Sequence, residues 1–211
     1  MAQVRTRKLK QALAPEPLPP LVLRLAPVVK LSDKQLARLC TLNDALQIER
    51  TREGDLVIMP PAFPEGDRQN TEVTGQLFIW ARTDGTGISF GPTAGFTLSN
   101  GAMRAPDASW ILRSRWESLS EAQRLRRFSR ICPDFVVEVR SATDRLSVLQ
   151  AKMQEYLDSG ARLGWLIDPV QRQVYVYRPD AAVERLNNPR TLAGDPVLPG
   201  FVLELAPIWG P

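Results

Sequence analysis

Two carboxylates and one lysine are the residues here whose types and spacing could do chemistry. Glu138 interrupts the apolar run Phe135-Val136-Val137-Glu138-Val139. Side chains alternate along a strand, so Val136, Glu138 and Arg140 are expected on one face and Phe135, Val137 and Val139 on the other. A carboxylate among such neighbours is costly unless something compensates it. That partner is either an arginine such as Arg140 or a metal ion, and the strand alone does not decide between them. Asp107 follows Pro106 and opens a second expected strand. Taken alone it reads as a turn residue. Beside a glutamate on a neighbouring strand, it supplies the second oxygen ligand that a hard divalent cation takes. Magnesium keeps several of its waters, so two carboxylates and a backbone carbonyl suffice. Lys152 falls on a helix downstream of Glu138, bordering the stripe Leu149, Met153 and Tyr156. Most helical lysines are solvated, but one at the edge of an apolar stripe can reach back toward the sheet.

The composition narrows the chemistry further. Among 211 residues there is no histidine, which excludes the Ser-His-Asp triad, HExxH metalloproteases and histidine zinc sites. Cys40 and Cys132 have no CxxC spacing and read as reduced, half-buried thiols. The formal charge of +4 permits a polyanionic partner without requiring one. Hydrophobic residues make up 44% and charged residues 24%, ordinary globular usage for one domain with a sizeable core. No apolar run reaches membrane-span length and no signal-peptide core opens the chain, so a cytoplasmic protein is expected.

The elements that must position these residues read as follows. Residues 1–30 are expected to be a flexible basic, proline-rich leader, with Arg5, Arg7, Lys8 and Lys10 ahead of a run of prolines. A single domain is expected over residues 31–211. Ser32 and Gln35 form a capping box for a first helix ending near Asn43. Leu46–Arg50 and Leu56–Met59 read as a hairpin. Asp67 is the expected cap of a second helix carrying Val73, Leu77 and Trp80 and stopping at Asp84-Gly85. Strands are expected at Gly87–Phe90, Gly95–Leu98, Asp107–Leu112 and Phe135–Val139. A basic helix is expected over Ser120–Phe128, capped by Ser120 and Gln123. The helix Arg145–Asp158 ends at Gly160, and Leu163–Ile167 with Val174–Tyr177 forms a second hairpin. The apolar end, Val197–Trp209, should pack onto the sheet. The order predicts an α/β (α+β) fold, a mixed β-sheet flanked by helices.

Pro106-Asp107 followed by Glu138-Val139-Arg140 resembles the PD-(D/E)XK nuclease signature, with arginine where that motif ends in lysine. Further matches are Ile48-Glu49, Gly54-Asp55-Leu56, Phe135 through Ser141, Lys152-Met153 with Tyr156, and Gly164-Trp165-Leu166-Ile167-Asp168-Pro169. Together these resemble the bacterial restriction-endonuclease-like family common in photosynthetic bacteria, over roughly residues 31–208. The resemblance implies a restriction-endonuclease-like core, a Mg²⁺ site that Mn²⁺ could also fill, a nucleic-acid substrate (DNA first of all) and a homodimer. It implies that Asp107, Glu138 and the Val139 carbonyl hold the metal. It also implies that the motif lysine has moved to the following helix, where Lys152 stands, with Glu49, Arg140 and Tyr156 in support.

Two departures favour a rival reading, a nuclease-fold DNA-binding module with little or no catalysis. Arg140 cannot deprotonate, and Asn70 stands where many family members carry a histidine. Other readings are a paired-carboxylate glycosidase, which needs no metal, and a purely structural network of Glu138, Arg140 and Lys152. Arg113, Arg115, Arg124, Arg126, Arg127 and Arg130 form a candidate phosphate-contact surface, to be weighed against a solvated face balanced by Glu117 and Glu121. The five tryptophans are expected in the core or at contacts between copies rather than stacked on bases.

Overall fold

The computed structural model describes residues 18–210. Its elements, in chain order, are β1 (Leu21–Leu23), α1 (Asp33–Leu42), β2 (Gln47–Arg50), β3 (Leu56–Met59), α2 (Pro64–Asp84), β4 (Gly87–Phe90), β5 (Gly95–Thr97), β6 (Met103–Arg104) and β7 (Ala108–Leu112). They continue with α3 (Arg113–Glu117), α4 (Glu121–Arg124), β8 (Phe128–Ser129), β9 (Phe135–Val139), α5 (Leu146–Asp158), β10 (Leu163–Asp168), β11 (Gln173–Tyr177), β12 (Glu184–Asn187), β13 (Thr191–Ala193), β14 (Val202–Glu204) and α6 (Ala206–Trp209).

The strands form two six-stranded sheets and a small two-stranded one. The sheet that matters for the site runs β12-β11-β10-β9-β7-β4 and is mixed. Its one parallel pair is β9 with β10, joined by the crossover helix α5. That crossover lays α5 back over the strand carrying Glu138. Gly164 on β10 lets the helix come close, since a Cβ there would meet the Met153 terminal methyl at 2.5 Å. The second sheet, β1-β3-β2-β6-β5-β8, gathers the N-terminal hairpin and the short strands before Asp107.

Alternation on β9 divides the interior in two. Phe135 and Val137 face a core built with α2, Trp110, Trp165, Phe201 and Ile208. Val136 faces the other core, with Met153, Tyr156 and Leu166 under α5. Each large apolar side chain buried in these cores stabilises the fold by about 1.5–3 kcal/mol. Glu138 shares the α5 face, as the strand pattern predicts. The C-terminal apolar segment packs as expected, with Leu198, Phe201, Leu203, Leu205 and Ile208 all in the first core.

Several elements differ from expectation. The folded part begins before residue 31, because β1 pairs with β3 inside the expected leader; Arg5, Arg7, Lys8 and Lys10 lie outside the described residues. The second helix is capped four residues earlier than expected. Phe63 is the N-cap and Pro64 occupies the first helical position, where its missing N–H costs nothing. Asp67 instead lies in the first turn, next to the positive end of the helix. The Ser120 capping box is present, but its helix stops at Arg124, and Phe128 joins a strand. Both cysteines are free and buried. Among the described residues, no helix is long and apolar enough to cross a membrane.

Candidate functional site

Asp107 and Glu138 come together because β7 and β9 run antiparallel. Ala108 pairs with Val137, so the residue before one stands opposite the residue after the other. The Val139 N–H donates to Asp107 Oδ2 at 2.7 Å. Asn70, on α2, donates to Asp107 Oδ1 at 3.1 Å. Glu138 Oε1 receives the Tyr156 hydroxyl at 2.9 Å and lies 2.8 Å from Lys152 Nζ. Lys152 Nζ is also 2.8 Å from Glu49 Oε1. The lysine is thus no solvated helical residue; it bridges two glutamates, one on each large sheet.

Glu49 lies at the bottom of this cluster, 1% exposed. It accepts from the Ala105 N–H at 2.9 Å and from Arg104 at 3.1 Å. Arg104 in turn holds Glu155 at 2.6 Å. Sequence reasoning missed Arg104. It lies three residues before Asp107, in a two-residue strand too short to give a periodic signal.

Arg140 is brought near the site but is committed elsewhere. Its guanidinium pairs with the fully buried Asp168 at 2.5 Å and donates to the Asp144 carbonyl at 3.2 Å. An unpaired Asp168 carboxylate at that depth would be costly, so this arginine serves the packing of the β9 and β10 ends. The candidate phosphate surface is likewise largely consumed. Arg115 pairs with buried Asp134, Arg130 with Asp33 and Arg113 with Glu117, while Arg127 donates to the Cys40 carbonyl. Among the described residues, only Arg124 and Arg126 of that set have side chains without a partner. Trp110 and Trp165 are core residues, and Trp80 packs on Trp110 and Phe201.

The electrostatics follow from burial. Burial raises the Asp107 carboxyl to about 6, against the pull of the Val139 N–H and Lys152. Burial raises Glu138 as well, with Lys152 opposing and the neighbouring Asp107 and Glu49 charges adding to the shift. For Glu49, burial is outweighed by Lys152 and Arg104, which hold its carboxyl below the usual range. For Lys152, burial is outweighed by Glu138 and Glu49, which keep it charged. Around these residues four carboxylates (Glu49, Asp107, Glu138, Glu155) face two cations (Arg104, Lys152). The cluster is two positive charges short when fully ionised.

A divalent cation fits that deficit. The donors are hard oxygens, and Glu138 Oε2 receives no hydrogen bond from the described residues. Among the described residues no group of three or more His, Cys, Asp or Glu could hold a metal ion. Asp107 and Glu138 are two adjacent carboxylates, the number that magnesium takes while keeping several waters.

One consequence for pH is directly measurable. Asp107 titrates in the folded chain near 6, above the ordinary value of 3.8. Its stabilising contribution is therefore complete below the lower value and is lost as pH rises through the upper one. Melting the metal-free protein from about pH 4 to about pH 7 should favour Asp107→Asn progressively over wild type. Parallel curves for the two proteins across that window contradict the assignment.

Comparison with the curated proteins gives no match. Among solved structures, the chain is similar to the crystal structure of a nuclease, described as putative, from Anabaena variabilis. The TM-score is 0.67 at 22% identity, with 77% of this chain and 89% of that chain covered, and this shared architecture is a mixed α+β nuclease-like fold. The sequence profile of the Uma2 family, described as "Putative restriction endonuclease", matches residues 33–206, which covers both six-stranded sheets apart from β1 and every residue of the site just described. The chain belongs to the Uma2 family.

Proposed function

We propose that this protein is a Mg²⁺-dependent endonuclease that hydrolyses phosphodiester bonds of nucleic acid, DNA first of all, and that it works in the cytoplasm as a homodimer. The observation that carries the reading is the buried cluster that is two charges short of neutrality when fully ionised, built from two adjacent carboxylates with a lysine beside them. Asp107 and Glu138, with the Val139 carbonyl, would hold Mg²⁺, and Mn²⁺ could substitute. When bound, the ion supplies Lewis acidity toward the phosphate and lowers the pKa of a nearby water.

The chain's own residues do the rest. Lys152, fixed by Glu49 and Glu138, presents a permanent positive charge where the phosphate gains negative charge. Tyr156 holds Glu138 Oε1, so the second oxygen keeps one direction. Glu49 anchors the lysine, and Arg104 in turn holds Glu49. In the reaction a water oxygen bonds to phosphorus as the bond from phosphorus to the sugar oxygen breaks. The water's proton passes to bulk water, and the leaving oxygen takes one from bulk water. No imidazole is required.

Incubation with supercoiled plasmid tests the reading. Nicked and linear products should form with Mg²⁺ or Mn²⁺ and be abolished by EDTA. Plasmid bound but left intact in either metal supports the second reading, a DNA-binding module without turnover. Arg140 speaks for that alternative, because the residue in the motif-lysine position is tied to Asp168.

A further inference from the structure

Asn70 is oriented by Asp107 and left with half of its amide unused. Its Nδ2 donates to Asp107 Oδ1 at 3.1 Å. An ionised carboxylate accepts only from the nitrogen end, so the amide orientation is fixed, with Oδ1 turned away from Asp107. Oδ1 is buried, and among the described residues no group donates to it. The nearby Thr74 hydroxyl does not serve, because it donates to the Asn70 main-chain carbonyl at 2.7 Å. Only Ser109 Oγ and Trp110 Nε1 share this condition among the described residues. A buried amide oxygen without a donor is costly and uncommon, so a native one calls for a partner. Hydrophobic packing does not explain the residue either, since α2 presents Val73, Leu77 and Ala81 to the core and Asn70 sits one turn before them at the carboxylate pair.

We infer that Asn70 is a positioning residue for the attacking water, accepting a hydrogen bond from one of its O–H groups at Oδ1 while anchoring Asp107 through Nδ2. The inference rests on the nuclease reading and deepens it. A water held by one O–H keeps its lone pairs free for the site. Asparagine suits the task because one side chain both donates to the carboxylate and accepts from the water. Aspartate would repel Asp107, and alanine would do neither.

The test compares wild type with Asn70→Ala, using Mn²⁺ alone as the probe and then a DNA duplex. Loss of the anchor on Asp107 weakens Mn²⁺ binding, by roughly 10–100-fold for an outer partner of a ligand. That part of the defect disappears at saturating Mn²⁺. Loss of water positioning does not, so single-turnover cleavage at saturating Mn²⁺ and DNA should remain about 100-fold slow. The proton ENDOR spectrum of bound Mn²⁺, taken without DNA, should show altered water-proton couplings in the variant. Recovery of the wild-type rate at saturating Mn²⁺, or an unchanged proton spectrum, overturns the assignment. A wild-type protein that takes up no Mn²⁺ overturns the metal-nuclease reading itself, and this inference with it.

Discussion

Lys152→Met is expected to lower stability by about 3–5 kcal/mol, the usual cost of removing one partner from a buried pair. At this chain length that corresponds to a melting midpoint roughly 6–20 °C lower. The side chain is 9% exposed and contacts Glu49 and Glu138 at 2.8 Å each, so the substitution leaves two buried carboxylates without their shared cation. The lost stability should be pH-dependent. As pH falls and the glutamates protonate, the deficit shrinks, because a neutral carboxyl no longer needs the ammonium. Adding Glu138→Gln to Lys152→Met should recover part of the midpoint for the same reason. Under the nuclease reading, cleavage should be lost in both variants. A deficit under about 1 kcal/mol, the range of exposed pairs, would mean that the ion pairs are solvated and that the network does not organise the site.

The second large effect has two parts of opposite sign. Asp107→Asn removes a charge that burial disfavours, so the metal-free protein should melt higher than wild type near neutral pH. The same substitution removes a proposed metal ligand. Wild type at 100 times its Mg²⁺ dissociation constant gains about 2.7 kcal/mol by linkage, and the variant should gain almost none. Cleavage should fall by about 10³-fold or more, since several kcal/mol of charge stabilisation disappear with the ligand. A stabilised variant without activity distinguishes a functional carboxylate from a structural one. A variant that melts well below wild type in EDTA, by contrast, makes Asp107 a packing residue and removes the basis for the metal.

Much of this site is legible in the amino-acid sequence, for a physical reason. Glu138 stands out because strand periodicity puts a charge where only apolar side chains belong, and Lys152 because helical periodicity sets it beside a buried stripe. The capping boxes at Ser32 and Ser120 are equally local signals, and both are present in the fold. What local patterns do not carry is anything set by pairing between distant strands. The division into two sheets, the place of β1 in the fold, and the two-residue strand carrying Arg104 depend on contacts many residues apart. The basic surface misleads for the same reason: Arg115, Arg127 and Arg130 find partners at Asp134, Cys40 and Asp33, which no local pattern reveals. Alternation puts Arg140 on the correct strand face, but its commitment to Asp168 is set by the neighbouring strand.

Lys152 joins a glutamate of one large sheet to a glutamate of the other, and this makes the site a clasp. Glu49 arrives on the N-terminal hairpin, and Glu138 on the central strand. Ion pairs at 2.8 Å tolerate little spreading, so an ångström or two of parting between the sheets would unfasten the lysine while both sheets stayed intact. The residue proposed to meet the phosphate is then also the gauge of whether the two halves are shut. Under the nuclease reading, any change that prises them apart would silence the site while leaving each sheet's own pairing in place.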